Sequence, residues 1–242
     1  MERSRYLVAI EDESAAFYAA VSAVPMGAPV PSCPGWTVED LLFHLGWTHG
    51  FWAEIAARRL LSPNEVEEPP RPPAGELLAW SRDRTAHLQA ALAEADPETT
   101  VWTWARAQDV AFIVRRMAHE TCVHRWDAER AAGEARPIEP ELASDGVDEF
   151  LNVMLLEPRF SSAPIDGSVH LHATDTPGEW LVREQDDGTL VVTAQHAKGD
   201  AALRGPASDL LLALWGRVAT DALDVIGDRA VAERLLARTT VG

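Results

Sequence analysis

The sequence predicts an antiparallel four-helix bundle followed by a small α+β domain. Two observations lead to this fold class. Through the first half of the chain, apolar residues recur at helical spacing of three and four. Beyond Pro158 the alternation switches to period two, as in strands with one face buried.

Taken in order, Leu7, Ile10, Ser14, Phe17 and Val21 line one face of a first helix from about Arg3 to Val24. A connector rich in proline runs from Pro25 to Pro34. Thr37 then reads as an N-cap, with Glu39 and Asp40 in the first turn of a helix from Val38 to about Leu61. The segment Ser62 to Pro73 carries five prolines and three glutamates and reads as an extended surface loop. A third helix is expected from Ala74 to Glu94, and a fourth from Asp109 to Ala132, closed by Gly133. Helices of this length joined by loops define a bundle. A further helix is expected from Glu139 to about Leu156. Val169, Leu171 and Ala173 then alternate with His170, His172 and Thr174, and Glu179 to Glu184 and Thr189 to Ala194 are expected to form a hairpin around Asp186-Asp187-Gly188. Ala201 to Arg204 adds a strand. Helices from Ala207 to Thr220 and Asp228 to Arg238 flank an apolar piece at Leu223 to Ile226. The expected division is a bundle over residues 1–158 and an α+β domain over 159–242.

Composition narrows the function classes. The chain has 242 residues, 47% of them hydrophobic, so a sizeable core is expected. A formal net charge of −17 repels phosphate backbones and anionic headgroups, so neither nucleic acid nor a membrane is an expected partner. Export is not indicated, because Glu11, Asp12 and Glu13 interrupt any apolar N-terminal stretch. The two cysteines, Cys33 and Cys122, are too few for a disulfide framework, and a cytoplasmic location is expected.

The segment that carries chemistry is His119-Glu120-Thr121-Cys122-Val123-His124-Arg125-Trp126-Asp127. It is not the metalloprotease pattern, which needs two histidines four apart. His119 and His124 are five apart, about 140° around a helix, and cannot share an ion. Glu120 and His124 are four apart and face the same way; Asp127 lies on that stripe, placed either to ligate weakly or to orient His124 through its second ring nitrogen. His44, on a largely apolar helix beside Leu41, Leu42, Leu45 and Trp47, is the best third donor, whereas His49 faces elsewhere. A His₂Glu set leaves one zinc position open, as in catalytic sites. The plainer alternative is a core histidine and a surface Glu-x-x-x-His pair, and spacing alone does not decide between them.

The stretch Cys33-Pro34-Gly35-Trp36-Thr37-Val38-Glu39-Asp40-Leu41-Leu42-Phe43-His44-Leu45 closely resembles a signature of the mycothiol-dependent maleylpyruvate isomerase family, within the DinB-like superfamily. His119-Glu120 through His124-Arg125-Trp126-Asp127 resembles its second motif. Gly205-Pro206-Ala207-Ser208-Asp209-Leu210 through Trp215-Gly216-Arg217 resembles its sterol-carrier-like C-terminal domain. The resemblance implies His44, Glu120 and His124 as metal ligands, with zinc or another divalent metal as the ion and mycothiol as thiol cosubstrate. It implies that a metal-activated thiolate adds to maleylpyruvate, the bond rotates, and elimination gives fumarylpyruvate. It also implies a catalytic arginine, placed at Arg217, where a guanidinium suits a carboxylate or an enolate-like intermediate. Isomerisation and S-transfer to a small electrophilic substrate are equally compatible with the resemblance, and a monomer or weak homodimer is expected. The competing class is a non-catalytic module that binds an apolar ligand around a structural metal. Cys33 reads as a packing residue in preference to a nucleophile activated by the helix start, Cys122 as core, Trp36, Trp47 and Trp52 as core or pocket wall, and His170 and His172 as exposed strand histidines in preference to a second metal site.

Overall fold

The computed structural model describes residues 1–157 and 163–238 and divides the chain into two compact units, Met1–Arg136 and Pro137–Gly242. The boundary expected at residues 158 and 159 lies outside the described residues.

The first unit holds four long helices: α1 (Arg3–Ser22), α2 (Val38–Arg58), α3 (Ala74–Glu94) and α4 (Val110–Ala132). Local chemistry sets their ends. The Thr37 hydroxyl accepts from the Asp40 N–H and the Asp40 carboxylate accepts from the Thr37 N–H, a reciprocal capping box. The Asp109 carboxylate accepts from the Phe112 N–H, and Gly133, at φ 128°, closes α4 in a backbone region that favours glycine.

Pairwise contacts fix the chain directions. Tyr6 meets His119 and Glu13 meets Arg125, so α1 and α4 run the same way. Gly46 approaches Ser81 and Gly50 approaches Arg84, so α2 and α3 also run together. Arg3 reaches the Ala95 carbonyl while Tyr18 bonds Thr85, so α1 opposes α3. The order is therefore up, down, down, up. A same-direction step from α2 to α3 must return along the bundle, and residues 59–73 supply the length. Fifteen extended residues reach about 50 Å, against about 31 Å for a 21-residue helix.

The core of this unit is built from Phe17, Val21, Leu41, Leu42, Leu45 and Leu77, all at 0% exposure. The Arg125 guanidinium, itself buried, donates to Glu13 at 2.5 Å and Glu129 at 2.8 Å, tying α1 to α4.

The second unit begins with α5 (Pro140–Glu149), which continues through a π-helical turn, Phe150–Met154. A five-stranded sheet follows, β1 (Ser168–Ala173), β2 (Glu179–Glu184), β3 (Leu190–Thr193), β4 (Ala201–Gly205) and β5 (Asp224–Gly227), in the order β3-β2-β1-β4-β5. Only the β1–β4 pair is parallel. The helices α6 (Ala207–Leu214) and α7 (Arg229–Arg238) pack on β1 and β4, and α5 packs on α6. Alternation puts Val169 and Leu171 of β1 on the face shared with Val182, Trp180 and Leu203. The sixth helix is shorter than the sequence predicts. Gly216, at φ 67°, turns the chain after Leu214, and the apolar piece after it becomes β5 at the sheet edge.

Candidate metal centre

The two helices α2 and α4 cross where the informative residues lie. His44 Nε2 and His124 Nε2 each stand 3.1 Å from the same oxygen, Glu120 Oε1. One donor atom from each of the three residues lies within 4.8 Å of the others. His119, five residues before His124, turns instead to Tyr6 on α1, at a ring separation of 6.1 Å. His49 also faces away, into a buried hydroxyl cluster of Thr85 and Thr121.

Orientation is supplied from behind. Asp127 Oδ2 accepts from His124 Nδ1 at 2.9 Å, which aims Nε2 at Glu120 and raises the basicity of the ring. The Cys33 thiol donates to the same carboxylate oxygen at 3.5 Å, so this residue braces the site in addition to packing. Arg116, four residues before Glu120 on α4, donates to Glu120 Oε2 at 2.6 Å. This guanidinium was missed at the level of motifs, although the i, i+4 spacing to Glu120 was there to find it.

Charge is concentrated accordingly. Burial pushes the His124 imidazole down, but the Glu120 and Asp127 carboxylates outweigh it and raise it to about 9. Burial pushes Glu120 up, yet His124, His44 and Arg116 together hold it well below the usual carboxylate range. Without an ion the pair is therefore an imidazolium facing a carboxylate; with the His124 Nε2 proton displaced, the centre offers two imidazole nitrogens and one carboxylate oxygen. That donor set fits a divalent ion of the zinc type, which takes nitrogen and oxygen ligands.

One side of the centre is open. The His44 side chain is 35% exposed and packs at 5.0 Å from Trp36. A cleft of about 420 Å³ adjoins it, lined by Trp36, Phe43, His44, Trp47 and Arg71 among others. Arg71 comes from the proline-rich segment. Its guanidinium lies over Phe43 and donates to Asp40 at 2.8 Å, so that segment forms part of the wall.

The other singled-out residues are placed as follows. Cys122 is fully buried, its thiol on the His119 carbonyl. Trp52 is core, stacked on Trp102, while Trp36 and Trp47 line the cleft. Arg217 belongs to the second unit, just past α6, and donates to the Trp215 carbonyl at 2.9 Å. His170 is not an exposed strand histidine. It is 7% exposed, and only its neighbour two residues on is partly open.

A helical bundle carrying convergent histidine and carboxylate donors, followed by a mixed five-stranded sheet with its own helices, defines the class. Residues 7–129 match the mycothiol maleylpyruvate isomerase N-terminal domain, and residues 141–234 match the MDMPI C-terminal domain. The chain belongs to the mycothiol maleylpyruvate isomerase family. Its fold is that of a crystal structure of the mycothiol-dependent maleylpyruvate isomerase, with TM-score 0.57, 12% identity and 93% of each chain covered. The histidine-to-alanine mutant of that isomerase matches with the same TM-score and coverage at 11% identity. A comparison with curated proteins finds no match.

Proposed function

We propose that this protein is a metal-dependent enzyme that activates a low-molecular-weight thiol, mycothiol, for thiol-assisted cis–trans isomerisation or S-transfer. The observation that carries this reading is the convergence of two imidazole nitrogens on one carboxylate oxygen at the edge of an open cleft. His44, Glu120 and His124 would hold a divalent ion, zinc by donor type. When bound, such an ion supplies positive charge that keeps a coordinated thiol deprotonated at neutral pH.

The chain's own residues do the rest. Asp127 holds the His124 ring in position, and Arg116 restrains the second oxygen of Glu120. Trp36, Phe43 and Trp47 offer apolar walls, and Arg71 offers a cation at the cleft. Arg217 is assigned to the carboxylate or enolate oxygen of the electrophilic substrate, because a guanidinium presents paired donors to such groups.

The test is elemental analysis of purified protein, followed by mycothiol-dependent turnover of maleylpyruvate and of a panel of electrophiles. His44→Ala and His124→Ala are expected to lose the bundle's equivalent of metal and turnover while keeping helical content. Arg217→Ala is expected to keep the metal and lose turnover about 100-fold or more, in line with loss of a transition-state donor. Full retention of metal in both histidine variants would overturn the reading. Metal without any thiol-dependent turnover would favour the non-catalytic binding module.

A further inference from the structure

A second group of donors lies in the sheet of the second unit, on residues that the proposed chemistry does not use. His170 and His172 stand two apart on β1 and therefore share a face, and Glu179 of β2 is the cross-strand partner of His172. His196 follows β3 and reaches back to the same carboxylate. His172 Nδ1 is 2.7 Å from Glu179 Oε1, His196 Nδ1 is 2.8 Å from Glu179 Oε2, and His170 Nε2 is 3.7 Å from Glu179 Oε2. One donor atom from each of the four residues lies within 4.8 Å of the others.

His170 supplies the observation that points to a ligand. Its side chain is more than nine-tenths buried, and its Nε2 has no hydrogen-bond partner among the described residues. A buried ring nitrogen without a partner gives up its hydration and gains no hydrogen bond in exchange. At 3.7 Å the Glu179 oxygen is beyond hydrogen-bond reach, so that carboxylate does not satisfy it. The nitrogen faces a group of two further imidazoles, at ring separations of 6.0 Å for His172 and 5.4 Å for His196.

We propose that His170, His172, Glu179 and His196 form a second divalent-metal site, of the zinc class, that pins the segment after β3 to the β1–β2 hairpin. Three imidazoles and one carboxylate exclude magnesium and calcium, which take oxygen donors, and suit zinc or its later first-row neighbours. Donors of a tetrahedral zinc at 2.0–2.1 Å are separated by about 3.3 Å. The nitrogen–oxygen separations, 2.7 Å from His172 to Glu179 Oε1 and 2.8 and 3.7 Å from His196 and His170 to Oε2, bracket that value. Four protein donors fill the tetrahedron and leave no position for a substrate, so the site is structural, in contrast to the three-donor centre of the bundle. His196, 82% exposed on its segment, closes it last.

The test is zinc stoichiometry on the full chain, stripped with a chelator and titrated with Zn²⁺ alone against a competing zinc dye. His44→Ala combined with His124→Ala removes the bundle donors and is expected to retain one tight equivalent. His172→Ala combined with His196→Ala is expected to lose that equivalent. His196→Ala alone, on an exposed segment where folding is not at stake, is expected to weaken it at least tenfold. Co²⁺ in the bundle-deficient variant should give the intense visible bands of a four-coordinate nitrogen and oxygen site. The proposal is overturned if the bundle-deficient variant takes up no zinc, or if the His172 and His196 changes leave its stoichiometry and affinity unaltered. Uptake by that variant stands whether or not the bundle itself binds metal, so the two readings fail separately.

Discussion

Each ring nitrogen of His124 has its own neighbour: Nδ1 faces Asp127 and Nε2 faces Glu120. Which nitrogen is offered to an ion is therefore decided by Asp127. Asp127→Asn retains an oxygen acceptor of the same size but removes the charge that raises the basicity of the ring. Zinc affinity of the bundle centre is expected to fall 10- to 100-fold with helical content unchanged, as measured by dye competition. Unchanged affinity would show that packing alone orients His124. Much of this arrangement was legible in the sequence. The four-residue step from Glu120 to His124 and the further three to Asp127 fix one helix stripe whatever the tertiary fold. Cys33 was not legible as a partner of Asp127. It lies 94 positions away, and only the packing of the α1–α2 connector against α4 brings it within 3.5 Å. His196 is a similar case, since a residue on an irregular segment carries no periodicity to place it.

Helix-scale features were read well where ends carry caps and poorly where packing direction decides. The capping box at Thr37 and the closing Gly133 mark their helix ends in the sequence itself. The shared direction of α2 and α3 does not follow from the spacing of either helix. Loop length permits a long return without requiring one. Close approach of these helices depends on Gly46, where an added Cβ would stand 2.6 Å from Trp80 Cζ3 and 2.8 Å from Ser81 Oγ. Ser81 is held by the Leu42 carbonyl and Tyr18, so it cannot yield freely. Gly46→Ala is therefore expected to cost about 1–3 kcal/mol despite the better helix propensity of alanine, seen as a lower urea midpoint. A midpoint equal to or above wild type would mean that the interface has slack. Thr37→Ala removes half of the capping box and is expected to cost about 1 kcal/mol, while Thr37→Ser restores most of it. Strands β1 to β4 were placed within a residue or two by their alternation, whereas β5 was read only as an apolar piece. Whether the His170 face is covered was not readable, because alternation separates two faces without saying which one is buried.

At the scale of the whole molecule, stability against pH separates groups by their titration windows, and His49 acts in one of them. It is fully buried between α3 and α4, and burial depresses its pKa from 6.5 to about 3. The hydrogen bonds explain how it stays neutral. Thr121 donates its hydroxyl proton to the Met117 carbonyl, so its oxygen accepts from His49 Nε2–H, and His49 Nδ1 accepts from Thr85. A second ring proton would force the Thr85 hydroxyl to reverse and would place a charge in a fully buried site. Below about pH 6.5 the unfolded chain therefore takes up a proton at this position that the folded chain refuses, and stability falls as pH falls through the window from 6.5 toward 3. The loss approaches about 1.4 kcal/mol for each pH unit. His124 and Glu120 are quiet in the upper part of this window. In the metal-free chain, His124, raised to about 9, is already protonated in both states below 6.5. Glu120, held low, begins to matter only as the pH falls into the ordinary carboxylate range, where the unfolded carboxylate takes up a proton and the folded one does not. His49→Gln is expected to be less stable at pH 7.5, having lost a fitted ring, but to show a shallower decline between pH 6.5 and 5. Urea midpoints of the metal-free wild type and variant across that interval check the slope, and parallel slopes would mean that His49 is protonated in the folded protein after all.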